Sequence, residues 1–348
     1  MKNTLSFISR RHFLKSAGAL AACGLAGGLV PLPAFAGQGR DEAAPAQQTR
    51  LLMGTLVTLT ALAPDPDRAD AAFARAFTEM ERLIAVFDRH NAASALSVLN
   101  AEGSLSAAPP ELLAVLRESD RLGRDTEFAF NPAVAPVLEL FEAARAAAGG
   151  TALARPIRLD GKALAEALDL AKPGGIRSAG GLVRLERSGM RLTLDGIAKG
   201  YIADAASRSL AADGLVNHMV NAGGDIRASG FARGGRPWSV GIQDPDHPNR
   251  IVAGTSAVNC GIATSGSYEH YFDRSHSQHH LISHVTGKSP ELAGITVKAP
   301  TAMQADALAT ALALLPPAQA VRYVDARANL ACLIIGRQGQ RYSSANWS

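Results

Sequence analysis

The chain has 348 residues, of which 47% are hydrophobic and 19% are charged, and its formal net charge is +4. This length suits one large domain or two small ones, and the composition is ordinary for a globular enzyme. The composition therefore excludes a protein that is mainly disordered.

The first 36 residues have the pattern of an export signal. Ser9–Lys15 resembles a twin-arginine motif, an apolar stretch follows over about residues 17–30, and Ala34–Ala36 is a small-x-small cleavage site before Gly37. The apolar stretch is shorter than the ~20 residues that a transmembrane helix needs. We therefore predict a signal peptide over residues 1–36 and export to the periplasm by the twin-arginine route.

A second processing site competes with this one. Leu20–Cys23 resembles a lipobox, and cleavage there would leave a lipidated Cys23 that attaches the protein to a membrane. Such a cut would leave only a very short apolar region after Lys15. Release after residue 36 is therefore the favoured interpretation, and membrane association is expected only if Cys23 is lipidated.

The signal segment carries the whole net charge of the chain. It contains four cations and no acid, namely Lys2, Arg10, Arg11 and Lys15. The processed chain is close to neutral and offers no basic field to a nucleic acid, so we expect no nucleic-acid partner.

Two cysteines remain after processing, Cys260 and Cys332. Both lie in apolar runs, which predicts buried free thiols. A disulfide between them stays open as an alternative in an oxidising compartment.

The processed chain alternates helical and strand patterns without a repeat or a clear linker. We predict a flexible leader at 37–50 and one mixed α+β domain at 51–348. The predicted elements are a strand at 51–62, helices at 68–86, near residue 100, at 109–126 and at 134–148, a hairpin at 182–194 with its turn at Ser188-Gly189, a helix at 197–212, strands with glycine-rich turns over 217–264 and 280–298, helices at 304–315 and 318–326, and a terminal hairpin at 330–343.

The segment TLDGIAKGYIAD (193–204) places Gly196, Lys199 and Gly200 at the start of a predicted helix. The N–H groups and the positive dipole end of a helix N-terminus suit a phosphate, and Lys199 would add a charge. Glycine-containing turns between a strand and a helix are common, so this motif alone leaves a simple turn as an alternative.

Asp306 and Thr310 lie four residues apart in a predicted helix, so their oxygens share one face. A carboxylate with a hydroxyl suits Mg²⁺, which binds through few protein ligands together with substrate phosphates. The alternative is a helix that merely has an acid in its first turn.

Four of the nine histidines lie between His276 and His284. Zinc or copper binding by a histidine-rich metal carrier is one interpretation, although the segment lacks clear metal-ligand spacing. Surface histidines are the other. If the segment is a strand, His280, Ile282 and His284 share one face.

Seven segments taken together resemble one family, the ApbE-type FAD:protein FMN transferases. The resemblance covers essentially the whole processed chain in the same order. The segments are MGT (53–55), FAFNPAVAPVLEL (128–140), DGIAKGYIAD (195–204), NAGGDIRASG (221–230), GIATSGSYEHYF (261–272), HLISHVTGKSP (280–290) and ADALATAL (305–312).

The resemblance implies an α+β, T-fold-like domain with its site between two lobes. It also implies a Mg²⁺-dependent enzyme that cleaves FAD, transfers FMN to a serine or threonine of another protein and releases AMP. The implied acceptor is a flavoprotein domain, in exported members one belonging to a membrane redox complex.

The resemblance also implies roles for particular residues. Mg²⁺ would bind the carbonyl of Gly196 and the side chains of Asp306 and Thr310, and His280 would deprotonate the acceptor hydroxyl. If the pKa of His280 is unperturbed, the rate of FMN transfer should fall below about pH 6.5. The matched positions on the nucleotide side are Met53, Phe87, Ala129, Phe130, Asn131, Thr193, Lys199 and Leu281.

The chain departs from the family pattern at several positions. Phe87 stands where tyrosine is frequent, Thr193 and Asn131 replace acids, and Ser283–Val285 replaces Asp-Pro-Arg. Because the metal residues and His280 are retained, we predict activity. The alternative is a non-catalytic periplasmic factor that holds FAD or assists the maturation of a respiratory complex.

Overall fold

The computed structural model describes residues 29–31, 45–149, 153–245, 247 and 249–348. Cys23 and the predicted cleavage site before Gly37 lie outside the described residues. The backbone of Leu29–Pro31 forms a short strand, β1, which lies within the predicted signal peptide.

In the described part of the chain, eight antiparallel strands form the main sheet, in the order β14-β13-β12-β11-β8-β7-β3-β2. β9 and β10 form a second sheet with β1, and β4, β6 and β5 form a third. The strands are β2 (Pro45–Leu52), β3 (Thr55–Leu62), β4 (Ser104–Leu105), β5 (Ile176–Ala179), β6 (Leu182–Leu185), β7 (His218–Ala222), β8 (Asp225–Ser229), β9 (Trp238–Gln243), β10 (Ile251–Ala257), β11 (Cys260–Gly266), β12 (Leu292–Ala299), β13 (Ala331–Gly336) and β14 (Arg341–Ser343).

The helices of the described residues pack mainly against the main sheet and against one another. They are α1 (Pro66–Phe87), α2 (Ala95–Glu102), α3 (Pro110–Asp125), α4 (Ala135–Ala147), α5 (Gly161–Leu170), α6 (Ala198–Ala212), α7 (Ala302–Ala313) and α8 (Pro317–Asp325). Helices α6 and α7 lie side by side; α6 contacts β7 and β8, α7 contacts β11 and β12, and α1 packs on α6.

Among the described residues, none of the helices combines the length and the apolar character that a membrane crossing requires.

The buried apolar side chains form three clusters. The largest lies between the main sheet and α1, α6 and α7, and a second lies beneath β9 and β10. The third joins α4 and α5 to the histidine-rich loop through Phe141, Phe272 and Ile282. The mixed α+β fold is confirmed, while the division into two lobes stays a prediction. Cys260 and Cys332 are buried free thiols, as predicted.

The first strand pattern is a hairpin rather than one strand, and it begins inside the predicted leader. β2 starts at Pro45 and pairs residue by residue with β3 as the outermost strand of the main sheet. The chain reverses at Met53-Gly54, both with positive φ. Residues 45–50 are polar because they lie on an edge strand with alternately exposed side chains, which explains why the sequence resembles a leader.

The predicted hairpin at 182–194 is also wrong. The actual hairpin joins β5 to β6 at Gly180-Gly181, both with positive φ, whereas residues 190–197 form neither helix nor strand. Helix α5 was not predicted from the sequence.

Residues 280–291 form turns and loop rather than a strand. His280, Ile282 and His284 therefore do not share the face of a strand.

Helix α7 begins in very close contact with α6 and β11. A Cβ atom on Gly200 would collide with the backbone of Ala302, and one on Gly261 with that of Thr301, so both positions require glycine. The buried carboxylate of Asp204 accepts hydrogen bonds from the N–H groups of Ala302 (3.0 Å) and Met303 (2.9 Å). Asp204 therefore fixes the start of α7 against α6.

We expect Asp204→Ala to lower the free energy of unfolding by about 2–3 kcal/mol, because it leaves one buried and one partly buried N–H group without a charged acceptor. Denaturant titration measures this. Asp160→Ala, which removes an exposed cap of Ala163 N–H on α5, is the control and should cost about 1 kcal/mol. Equal losses in the two variants would contradict the assigned role.

Candidate active site

Gly196 lies directly against Thr310. A Cβ atom built on Gly196 would lie 2.6 Å from Thr310 Oγ1, so this position tolerates only glycine without movement. The glycine at this position therefore allows another group to come close to the backbone, which is one of the two interpretations of the motif. The group that approaches it within the chain is a side chain of α7.

Asp306 lies one helical turn before Thr310 and is only 4% exposed. Its Oδ2 accepts a hydrogen bond from Gly200 N–H at 3.0 Å. Burial, and then the neighbouring Asp225, raise the pKa of the Asp306 carboxyl well above its usual value. Thr310 Oγ1 lies 3.4 Å from Ser265 Oγ on β11. The structure thus brings the three predicted metal residues to one place.

Lys199 forms an ion pair with Asp225, the first residue of β8, whose Oδ2 lies 2.9 Å from Nζ. Asp225 raises the pKa of Lys199, which keeps the ammonium charged. Asp225 was missed in the sequence, although an acid directly after the glycine pair of NAGGDIRASG was a usable signal. Lys199 also interacts electrostatically with Glu269 and Asp306, so three acids act on one lysine. This excess of carboxyl groups over cations suits a divalent cation.

His280 faces a second acid that the sequence argument missed. Its Nε2 lies 3.9 Å from Glu269 Oε2, while its buried Nδ1 has no hydrogen-bond partner among the described residues. The ring is partly accessible, and burial lowers the pKa of His280 to about 4. The signal for Glu269 was its place in the GIATSGSYEHYF segment.

The other histidines of the segment have separate surroundings. His279 is fully buried with Nε2 3.1 Å from the Pro290 carbonyl oxygen, His276 is exposed and stacked on Tyr271, and His284 is buried. Among the described residues, no group of three or more His, Cys, Asp or Glu side chains is arranged to hold a metal ion. The metal-carrier interpretation therefore finds no support in the described residues.

The predicted nucleotide-side residues are spread over several elements. Met53 lies at the tip of the β2–β3 hairpin, and Phe87 ends α1 with its ring packed edge-to-face on Tyr201. Phe130 and Leu281 are buried, and Ala129 is partly buried. The Thr193 N–H donates to the Pro132 carbonyl at 2.9 Å, which joins the loop before α6 to the turn that contains Asn131.

Three residues that replace acids of the family pattern keep a turn hydrogen bond. The side-chain oxygens of Thr193, Asn131 and Ser283 each accept from the backbone N–H two residues later, at 3.2, 2.9 and 3.2 Å. Carboxylates make the same kind of turn. The replacements therefore remove charge but leave the local backbone supported.

Comparison with known proteins agrees with this geometry. Residues 53–334 match the model of the ApbE family, and residues 8–27 match that of the twin-arginine translocation pathway signal. The chain is 30% identical over 295 residues to the FAD:protein FMN transferase of Treponema pallidum, an alignment that covers 78% of this chain and 79% of the relative.

Solved structures show the same fold. The structure of flavin transferase ApbE from Vibrio cholerae superposes with a TM-score of 0.72 at 26% identity, covering 87% of this chain and 98% of that one. The ApbE protein of Thermotoga maritima gives a TM-score of 0.76 at 24% identity, covering 87% and 97%.

We expect Asp306→Asn to raise the free energy of unfolding in metal-free buffer at neutral pH by about 0.5–2 kcal/mol. The substitution replaces a carboxyl whose ionisation is unfavourable in this buried place beside Asp225, and the remaining amide oxygen can still accept from Gly200 N–H. Denaturant titration in a chelator measures the change.

Asp204→Asn is the matched control because it is an equally buried aspartate. Both of its oxygens accept backbone N–H groups, so an amide nitrogen there would face a donor and should destabilise the protein. A loss of stability in Asp306→Asn would contradict the idea that burial beside Asp225 makes ionisation of this carboxyl unfavourable.

Proposed function

The chain belongs to the ApbE family, and on that premise we propose that it transfers FMN from FAD to a serine or threonine hydroxyl of an acceptor protein and releases AMP. The main support for the proposal is that Asp306, Thr310 and Gly196 lie close together, near Lys199. Two distant segments of the chain, 195–204 and 305–312, supply these groups, and each is one that the resemblance assigned to the site.

We infer that Asp306, Thr310 and the Gly196 carbonyl hold Mg²⁺. Oxygen donors of this kind suit Mg²⁺, and the surplus of acids around Lys199 would attract it. When bound, the ion supplies Lewis-acid polarisation of the FAD diphosphate.

The remaining chemistry belongs to the chain. Lys199, held by Asp225, is a fixed cation for the diphosphate, and the N-terminal end of α6 adds its positive dipole. His280 takes the proton of the acceptor hydroxyl at Nε2, its less enclosed ring nitrogen. The hydroxyl oxygen then bonds to the phosphorus of the FMN half, the bond from that phosphorus to the AMP oxygen breaks, and AMP leaves with the electron pair. Glu269 lies beside Nε2 to stabilise the imidazolium.

The partner and the compartment follow from the same premise. The acceptor is a flavoprotein domain with a target serine or threonine, and an exported or membrane redox complex is the proposed owner. The match to a twin-arginine signal supports a periplasmic enzyme, anchored only if Cys23 is lipidated. A non-catalytic FAD-binding factor is the weaker candidate, because the departures from the family pattern keep their turns.

Incubation of the processed chain with FAD, Mg²⁺ and a candidate acceptor domain tests this function. We expect the intact mass of the acceptor to increase by one FMN group and AMP to appear in equal amount. Chelation of Mg²⁺, or alanine at the acceptor hydroxyl, should prevent both. Tight FAD binding without acceptor modification and without AMP would instead support the non-catalytic factor.

We expect His280→Ala to slow single-turnover transfer by about 10²–10⁴-fold while FAD still binds, because the hydroxyl loses its base. His276→Ala, at an exposed histidine of the same segment, is the control and should retain the wild-type rate. A wild-type rate in His280→Ala, or a defect explained wholly by lost FAD affinity, would contradict the role.

The pH profile is a separate prediction from the burial of His280. A base is lost as the pH falls through its pKa, and burial lowers that pKa to about 4. The single-turnover rate of the wild-type protein should therefore stay constant as the pH is lowered to 6 and decline only near pH 4–5. A histidine with an unperturbed pKa would instead give a decline near about pH 6.5. A decline centred near pH 6.5 would show that His280 is not enclosed as the structure describes.

A further inference from the structure

Arg89 joins two acids from different parts of the chain. It follows α1, and its Nε donates to Asp195 Oδ2 at 3.0 Å. Its two terminal nitrogens donate to the Glu142 carboxylate on α4, at 2.7 and 3.3 Å. The Arg89 side chain is only 15% exposed and that of Glu142 is 33% exposed, so water screens the Arg89–Glu142 pair less than it screens an ordinary surface ion pair.

The segment that Arg89 holds has little structure of its own. Residues 190–197 form neither helix nor strand. The Asn100 side chain bonds to both backbone groups of Leu192, at 2.7 and 2.9 Å, and the Thr193 N–H bonds to Pro132. Nearer to Gly196, the Thr193 hydroxyl accepts from Asp195 N–H within the loop at 3.2 Å, and Arg89 links the Asp195 side chain to another element of the fold.

Gly196 needs such a tether because its position has little tolerance. It lies in close contact with Thr310, and a carbonyl that binds a metal must point in one direction. Mg²⁺ demands near-ideal geometry from its ligands. A small shift of Asp195 would also shift the adjacent Gly196 carbonyl, which the proposed function assigns to the same ion as Asp306 and Thr310.

We propose that Arg89 is a positioning residue for the metal site: by fixing Asp195 to α4 it holds the Gly196 carbonyl where Mg²⁺ binds. This inference rests on the proposed function and assigns to Arg89, Asp195 and Glu142 a role in metal affinity. Residues behind the direct ligands typically change metal affinity or activity by about 10–100-fold when they are replaced.

The chain contains a matched control pair. Arg191 and Glu139 also link this loop to α4, with Arg191 Nε 2.7 Å from Glu139 Oε2. Their side chains are 44% and 32% exposed, and they lie farther from Gly196 along the chain. A general effect of tethering the loop would appear in both pairs, whereas a specific effect on Gly196 would appear only in the Arg89 pair.

The test measures Mg²⁺ binding without turnover, through the rise in melting temperature as Mg²⁺ is added to the full processed chain. The Mg²⁺ concentration that gives half of the maximal rise in melting temperature should increase about tenfold in Arg89→Gln and in Asp195→Ala. It should remain unchanged in Arg191→Gln. Asp195 is largely exposed, so its replacement should not prevent folding. The Arg89→Gln, Asp195→Ala double variant should be no weaker than the weaker single variant, because both break one tether.

A second readout is the Mg²⁺ concentration for half-maximal FMN transfer, which should shift by the same factor with little change in the rate at saturating Mg²⁺. If the Mg²⁺ concentration for half of the maximal rise in melting temperature is unchanged in both Arg89→Gln and Asp195→Ala, the inference is overturned and the proposed function is left intact. An equal shift in Arg191→Gln would also overturn it. Absence of any Mg²⁺ effect on the wild-type protein would overturn the metal site itself.

Discussion

The close approach of helices α6 and α7 is the constraint on which the site depends. Gly200 lies against the backbone of Ala302, and Asp204 binds the first N–H groups of α7. With the two helices held in this register, the Asp306 carboxylate accepts a hydrogen bond from Gly200 N–H. One turn later in α7, Thr310 lies against Gly196. The glycines of the DGIAKGY motif therefore have a packing role, and through it they assemble the proposed metal ligands.

This arrangement concentrates buried ionisable groups that the neighbouring residues of the chain compensate incompletely. Asp225 and Asp306 are almost fully buried, and Lys199 is a cation that interacts with both. A site that must attract a cation and a diphosphate has to keep both signs of charge away from bulk water, where their interactions would be weak. The cost falls on the stability of the metal-free fold, a common exchange at functional sites.

The sequence predicted features that depend on local pattern and missed those that depend on a distant partner. Helices α1, α6 and α7 were expected near their observed bounds, and the i, i+4 spacing placed Asp306 and Thr310 on one face. Asp225, Glu269 and Arg89 were missed because each is a single charged residue whose partner comes from another element. The polar edge strand β2 was mistaken for a leader for a related reason, since its order comes from pairing with β3.

The most direct test of the metal site is a crystal structure of the processed chain grown with Mn²⁺, an ion that prefers the same oxygen ligands as Mg²⁺ and scatters anomalously. We expect one strong anomalous peak within bonding distance of an Asp306 carboxylate oxygen, Thr310 Oγ1 and the Gly196 carbonyl oxygen. A peak among the histidines of residues 276–284, or well-ordered Asp306 and Thr310 with no peak between them, would contradict it.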